Sequence, residues 1–256
     1  MSGERKISNS APSVIVETRA VLGREQETTT SPIIVLDIDE ILFDSASKHY
    51  QQWQDWINDK EWGEDTPRLV DLEEFLANGG TRVYLQHFID NPHLTKEDFT
   101  ACNVENTTSE EFNQDMELIE GAQEAVNALA SLVMYYLTAR PTAVRDVTLA
   151  ELIKYNFPNV REDNVFFASN SEAYLDPRQG KLSSLLQIKE QNPGKTIILI
   201  DDSVATCQEI NDFGDPQLKA ILFAGAFTDP KVYPQAKNWD QIQELIKSII
   251  QDSANN

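Results

Sequence analysis

In "PIIVLDIDEILFDS", Pro32 to Ser45, an apolar run gives way to three acids within four positions: Asp37, Asp39 and Glu40. Carboxylates crowded at the end of a buried strand repel one another and lose solvation, a costly arrangement unless a cation sits among them. Two further stretches carry groups of the same kind. "TIILIDDS" ends in Asp201, Asp202 and Ser203, and "LVMYYLTARP" delivers Thr138 followed by Ala139, Arg140 and Pro141. Alternation along a strand places Asp37 and Asp39 on one side of the chain, with Ile38 pointing away. An all-oxygen set of few ligands suits Mg²⁺, which keeps several of its waters. The chemistry implied is metal-assisted and acid-rich.

Elements able to bring these groups together follow in order. Short runs rich in β-branched and aromatic residues recur at 32–39, 132–138, 164–170, 196–202 and 219–226. Nearly all of their residues are apolar, as in strands buried on both faces of a parallel sheet. Helical patterns lie between them: "GAQEAVNALAS", "TAVRDVTLAELIKYN", "KLSSLLQIKEQ" and "VATCQEINDFG", with an amphipathic "NWDQIQELIKSIIQD" closing the series. The alternation predicts an α/β fold, a doubly wound parallel sheet with right-handed crossovers. Ligands of such sheets bind outside the carboxyl ends of the strands, where the acids and Thr138 are delivered. Residues 46–116 break the rhythm and read as helices and turns, so they are expected to form an inserted, mainly helical cap after the first strand. The core is then 32–45 with 117–250, and the polar residues 1–31 read as a disordered tail.

The 256 residues carry 42 acidic against 21 basic side chains, a net charge of −21 that disfavours a nucleic-acid polymer or an anionic membrane as partner. A local cation would offset that field for an anionic substrate. No apolar run approaches the roughly 18 residues of a membrane span, and "MSGERKISNSAPSVIVETRAVLG" lacks a signal peptide's apolar core, so a cytoplasmic location is expected. Cys102 and Cys207 make no disulfide framework, and Cys207 reads as a helix-face residue packing on the sheet. His49, His87 and His93 show no ligand spacing and read as surface or cap residues.

"IIVLDIDEIL", "YYLTAR", a lysine near a helix start and "IILIDDS", in that order, resemble the four motifs of the haloacid dehalogenase-like superfamily. The resemblance covers the core and not the tail or the cap. It implies a phosphatase-type hydrolase, of an acid-phosphatase-like or nucleotidase-like branch, acting on a small phosphomonoester with Mg²⁺. Asp37 would be the nucleophile that becomes an aspartyl-phosphate, and Asp39 the general acid and base. Thr138, Ala139 and a lysine would bind the phosphoryl group. Asp202 and Asp201 would complete a metal site with Asp37 and Asp39, and which of the two motif-four acids ligates directly is left open. Pro141 suits the first turn of the following helix.

Among Lys181, Lys189 and Lys195, helix direction selects Lys181. A helix after a parallel strand starts at the carboxyl edge, Lys189 lies about 12 Å further down the axis, and Lys195 belongs at the opposite end. Arg140 is a further candidate for phosphate support, or a residue that pairs nearby. Ile41 stands where the family commonly has Thr or Val, and Glu40 where Gly is frequent, a change that bears on how the chain turns towards the cap.

Tyr50, Trp53, Trp56 and Ile57 form an apolar stripe that either packs the cap or stacks on a substrate ring, and Arg68, Arg82 and Lys96 are candidates for a second anionic group. The alternative activities are phosphoryl transfer to a second substrate, as in a phosphomutase, and a non-catalytic binding module. The oligomeric state is not readable from these residues.

Overall fold

The computed structural model describes residues 31–59, 68–82, 107–169, 177–225 and 234–254. Residues 1–30 of the expected tail, and Lys96, Cys102, His87 and His93, lie outside the described residues. Six strands form one sheet: β1 (Ile33–Leu36), β2 (Val133–Pro141), β3 (Val165–Ser169), β4 (Ile197–Asp201), β5 (Leu218–Phe223) and β6 (Gln235–Ala236). Their order is β3-β2-β1-β4-β5-β6, and every neighbouring pair is parallel. All the strands therefore end at one edge. The chain winds outwards from β1 in one direction and then returns to β4, so the order reverses between the central strands β1 and β4.

Each central strand feeds two cores by alternation. Ile34 and Leu36 of β1, with Ile198 and Ile200 of β4, face one layer: α4 (Ala122–Ala128), α5 (Arg145–Lys154) and α8 (Trp239–Ala254). Ile33, Val35, Ile197 and Leu199 face the other, made by α6 (Pro177–Gln191) and α7 (Val204–Asp212). This double burial is why the strands read as unbroken apolar runs. Cys207 packs in the second core and is fully buried, as its helix-face pattern predicts.

Differences from the sequence reading have local causes. β6 is two residues of a polar stretch, too short to show any period. Pro141, expected in the first turn of a helix, is instead the last residue of β2 and pairs with Ser169, at φ −70° and ψ 152°. A proline ring accepts that extended φ as readily as a helical one. A 3₁₀ turn, Thr142–Val144, then leads into α5. Helix α6 begins at Pro177, one turn ahead of Lys181.

Within 46–116, the described elements are α1 (Ser45–Asn58), α2 (Leu72–Ala77), a 3₁₀ turn at Gly80–Arg82 and α3 (Glu110–Asn113). They enclose an apolar cluster of their own, Ala46, Trp53, Ile57 and Phe75, flanked by Tyr50 and Trp56. Trp53 meets Phe75 edge-on at 5.6 Å, and the Tyr50 hydroxyl donates to the Val70 carbonyl. The aromatic stripe of α1 is thus packing.

Candidate active site

β1 ends one residue before Asp37, whose N–H continues the ladder by donating to the Ile200 carbonyl at 2.9 Å. That bond fixes Asp37 beside β4, at the point where the sheet order reverses. Its side chain is 4% exposed: Oδ1 accepts from the Ile38 N–H, and Oδ2 accepts from Lys181 Nζ at 2.6 Å. Lys181 also donates to Asp201 Oδ2 at 2.7 Å.

Helix α6 reaches this position because Gly180 lies hard against β3. A Cβ there would sit 2.2 Å from the Ala168 carbonyl oxygen, so a side chain would push the lysine's helix off the sheet. Burial raises the Asp37 carboxyl well above its usual range; Lys181 opposes this, while Asp201, Asp202 and Asp39 add to it. Burial pulls the Lys181 ammonium down, but Asp201 and Asp37 more than offset it, and Lys181 stays firmly charged.

The two acids closing β4 have divided tasks. Asp201 is fully buried with both oxygens engaged, one by Lys181 and one by the Ser203 N–H at 2.8 Å. Asp202 is half-buried and lines the cavity beside Asp37. Ligand oxygens of Asp37, Asp201 and Asp202 all lie within 4.8 Å of one another, so these three could hold a metal ion. Lys181 is shared by only two of these three carboxylates, Asp37 and Asp201, and the donors are all oxygen. That set fits a hard divalent cation such as Mg²⁺, which would also relieve the repulsion acting on Asp37.

Asp39, expected among the ligands, is not in that group. The strand does not run on to it. The chain turns instead, with the Leu42 and Phe43 N–H groups donating to the Ile38 carbonyl. Arg140 then grips the Asp39 carboxylate, Nη2 to Oδ1 at 2.7 Å and Nε to Oδ2 at 3.0 Å. Burial pushes the Asp39 carboxyl up, but the charge and hydrogen bonds of Arg140 outweigh it and hold the group below its ordinary value. Arg140 is 5% exposed and also reaches Thr148 Oγ1, so of its two expected uses it performs the pairing. Asp37 and Asp39 nevertheless line the same cavity.

Thr138 lies at the expected edge but is fully buried and does not line the cavity. Its Oγ1 accepts from the Arg140 N–H at 3.0 Å and so braces the turn that carries Arg140. Ala139, Arg140 and Lys181 do line the cavity.

Glu40 takes a left-handed backbone, φ 58°, where a glycine would be unstrained. Its carboxylate accepts from Ser45 Oγ at 2.8 Å and from the Ala46 N–H at 2.6 Å, holding the start of α1 over the site. Asp44 caps the same helix by accepting from the Ser47 N–H. One turn along α1 from Ser45, His49 lines the cavity wall. Its spacing to other residues carries no ligand signature, and sequence reasoning passed it over. The cavity measures about 690 Å³, much more room than a phosphoryl group needs.

No family model and no curated protein matches this chain. Solved structures do. A haloacid dehalogenase-superfamily hydrolase from Ehrlichia chaffeensis superposes with a TM-score of 0.51 at 15% identity, covering 86% of this chain and 98% of that one. A hydrolase of the same family from Deinococcus radiodurans, holding phosphate and sodium, gives 0.51 at 14% identity over 87% and 98%. A beta-phosphoglucomutase from Clostridium difficile gives 0.50 at 14% identity over 86% and 98%. The chain has the haloacid dehalogenase-like fold. Among the described residues no helix is long and apolar enough to cross a membrane.

Proposed function

We propose that the protein is a Mg²⁺-dependent phosphatase that hydrolyses a small phosphomonoester through an aspartyl-phosphate on Asp37. The observation that carries this reading is the position of Asp37. It is buried at the end of the central strand, held by Lys181, grouped with Asp201 and Asp202, and open to a cavity. Bound among these carboxylates, the ion would supply charge neutralisation for an anionic substrate.

Asp37 Oδ attacks phosphorus, and the bond from phosphorus to the leaving oxygen breaks as Asp39 gives that oxygen a proton. Water then attacks phosphorus while Asp39 takes back a proton, and the bond to Asp37 breaks, releasing phosphate. Lys181 neutralises charge on the phosphoryl group and keeps Asp37 aimed; Asp201 holds Lys181. Ala139 lies on the cavity wall, where its backbone would meet the phosphoryl oxygens. The described helices of 46–116, α1 to α3, serve as part of a cap at the cavity.

Acid quenching during turnover of an aryl phosphate, followed by mass spectrometry, should find a phosphoryl group on the peptide containing Asp37. A phosphoryl group on another residue, or turnover with none trapped anywhere, would count against the mechanism. Phosphate release with water as the sole acceptor separates hydrolysis from transfer to a second substrate.

A further inference from the structure

His49 stands out among the cavity's walls because its hydrogen bonding is unfinished. Nδ1 is shut off from solvent and has no partner among the described residues. The ring is clamped, 4.7 Å from Phe112 and 5.8 Å from Trp53. Phe112 is itself held to α1 by Lys48, which donates to its carbonyl at 3.0 Å. The ring therefore cannot swing to find a partner for Nδ1 without breaking this packing. Burial, opposed by Asp39 and reinforced by Arg140, brings the imidazole's pKa down to about 4, so the ring is neutral at neutral pH.

A neutral imidazole has one N–H, and its location follows from cost. An orphaned buried N–H is rarer in proteins than an under-satisfied acceptor. The proton therefore sits on Nε2, the nitrogen that remains accessible on the cavity side.

The surrounding wall has the same character. Ser45, Thr81, Thr107 and Asn113 line the cavity with hydroxyl and amide groups. Among the described residues, the rings of α1 suited to stacking on a base, Tyr50, Trp53 and Trp56, are packed in the α1–α2 cluster instead. Phe112 reaches the cavity but is only 5% exposed. Among the described residues the cavity wall carries four acids, Asp37, Asp39, Glu40 and Asp202, against three cations, Arg140, Arg178 and Lys181, so a leaving group with its own negative charge gains no net attraction there.

We propose that His49 is a specificity-determining residue whose Nε2–H donates to a hydroxyl of the leaving group, and that the substrate is a phosphomonoester of a polyhydroxylated alcohol. This rests on the phosphatase reading and adds the class of alcohol to it. A neutral donor to a hydroxyl confers discrimination of about tenfold. The Ser45 and Asn113 donors are spent, on Glu40 and on the Thr107 and Ser109 carbonyls, so these two would serve neighbouring hydroxyls only as acceptors.

The test compares kcat/KM for a hexose phosphate and glycerol phosphate with that for p-nitrophenyl phosphate, in wild type, H49A and H49Q. Preference for the polyol esters should fall about tenfold in H49A, chiefly through KM, and return in H49Q, whose amide N–H reaches the Nε2 position. Calorimetry on the Asp37→Asn background should show hexose phosphate binding weakened to the same degree by H49A. Long-range proton–nitrogen NMR should show the Nε2-protonated tautomer. Equal loss for all three substrates, an Nδ1-protonated ring, or a nucleoside monophosphate outrunning every polyol ester would overturn the inference. Wild-type protein that releases phosphate from none of these compounds would sink the phosphatase reading itself, and the inference with it.

Discussion

Two walls of one cavity are built on opposite terms. At the carboxyl edge of the sheet the buried charged groups are tied down: Lys181 to Asp37 and Asp201, Arg140 to Asp39, Asp201 to the Ser203 N–H. On the other side, α1 offers His49, whose buried Nδ1 has no partner among the described residues and whose ring is braced by aromatic packing rather than by an ion pair. Buried ion pairs fix geometry at a cost in solvation, which suits a reacting centre. A neutral, hydrogen-bonding wall can be varied without disturbing that centre. The difference assigns chemistry to the sheet edge and selection to the helix.

The sharpest way to break this contrast is at the edge. Lys181→Met leaves Asp37 and Asp201 without their shared cation. It should cost about 3–5 kcal/mol of stability in chemical denaturation, and roughly 10²–10³-fold in kcat. A variant of near-native stability and rate would mean that the edge is no more tightly organised than the helix.

On the other wall, Trp53→Ala empties the centre of the α1–α2 cluster, a change worth about 3–5 kcal/mol. Because that cluster is distinct from both sheet cores, hydrogen exchange should rise across 45–58 and 71–77 while β1 and β4 stay protected. Equal loosening of the strands would show that the two regions melt as one.

Arg140→Met probes the join between them and should have the smallest effect, about tenfold in kcat. Asp39 titrates below its ordinary 3.8 in the folded protein, so its pair with Arg140 contributes full stability above about pH 4. That contribution is lost as pH falls through the depressed native value. Removing Arg140 lets the Asp39 carboxyl rise, so the protonated form needed to release a poor leaving group persists to higher pH. The pH at which the rate on alkyl phosphates falls away should accordingly move upwards. An unmoved profile would separate Arg140 from the proton transfer.

The sheet was legible because burial on both faces writes continuous apolar runs, and five strands were expected where they stand. β6 was not, since two residues carry no period. Asp37 and the Asp201–Asp202 pair could be placed from strand ends; the family resemblance called for a lysine, and helix direction chose Lys181 among three. The Arg140–Asp39 pair could not, because the partners lie 101 residues apart and depend on the turn after Ile38, where strand alternation stops. Glu40 gave notice only as an unusual residue; its left-handed turn and its two hydrogen bonds to the start of α1 need coordinates. His49 left no signal, since its use comes from a missing partner rather than from a spacing.

Phosphate release from p-nitrophenyl phosphate and a phosphomonoester panel, with Mg²⁺ or EDTA, beside Asp37→Asn, tests the central claim most directly. The account predicts turnover that needs both the metal and Asp37, with folded Asp37→Asn protein inactive. Turnover that survives in EDTA or in Asp37→Asn would contradict it.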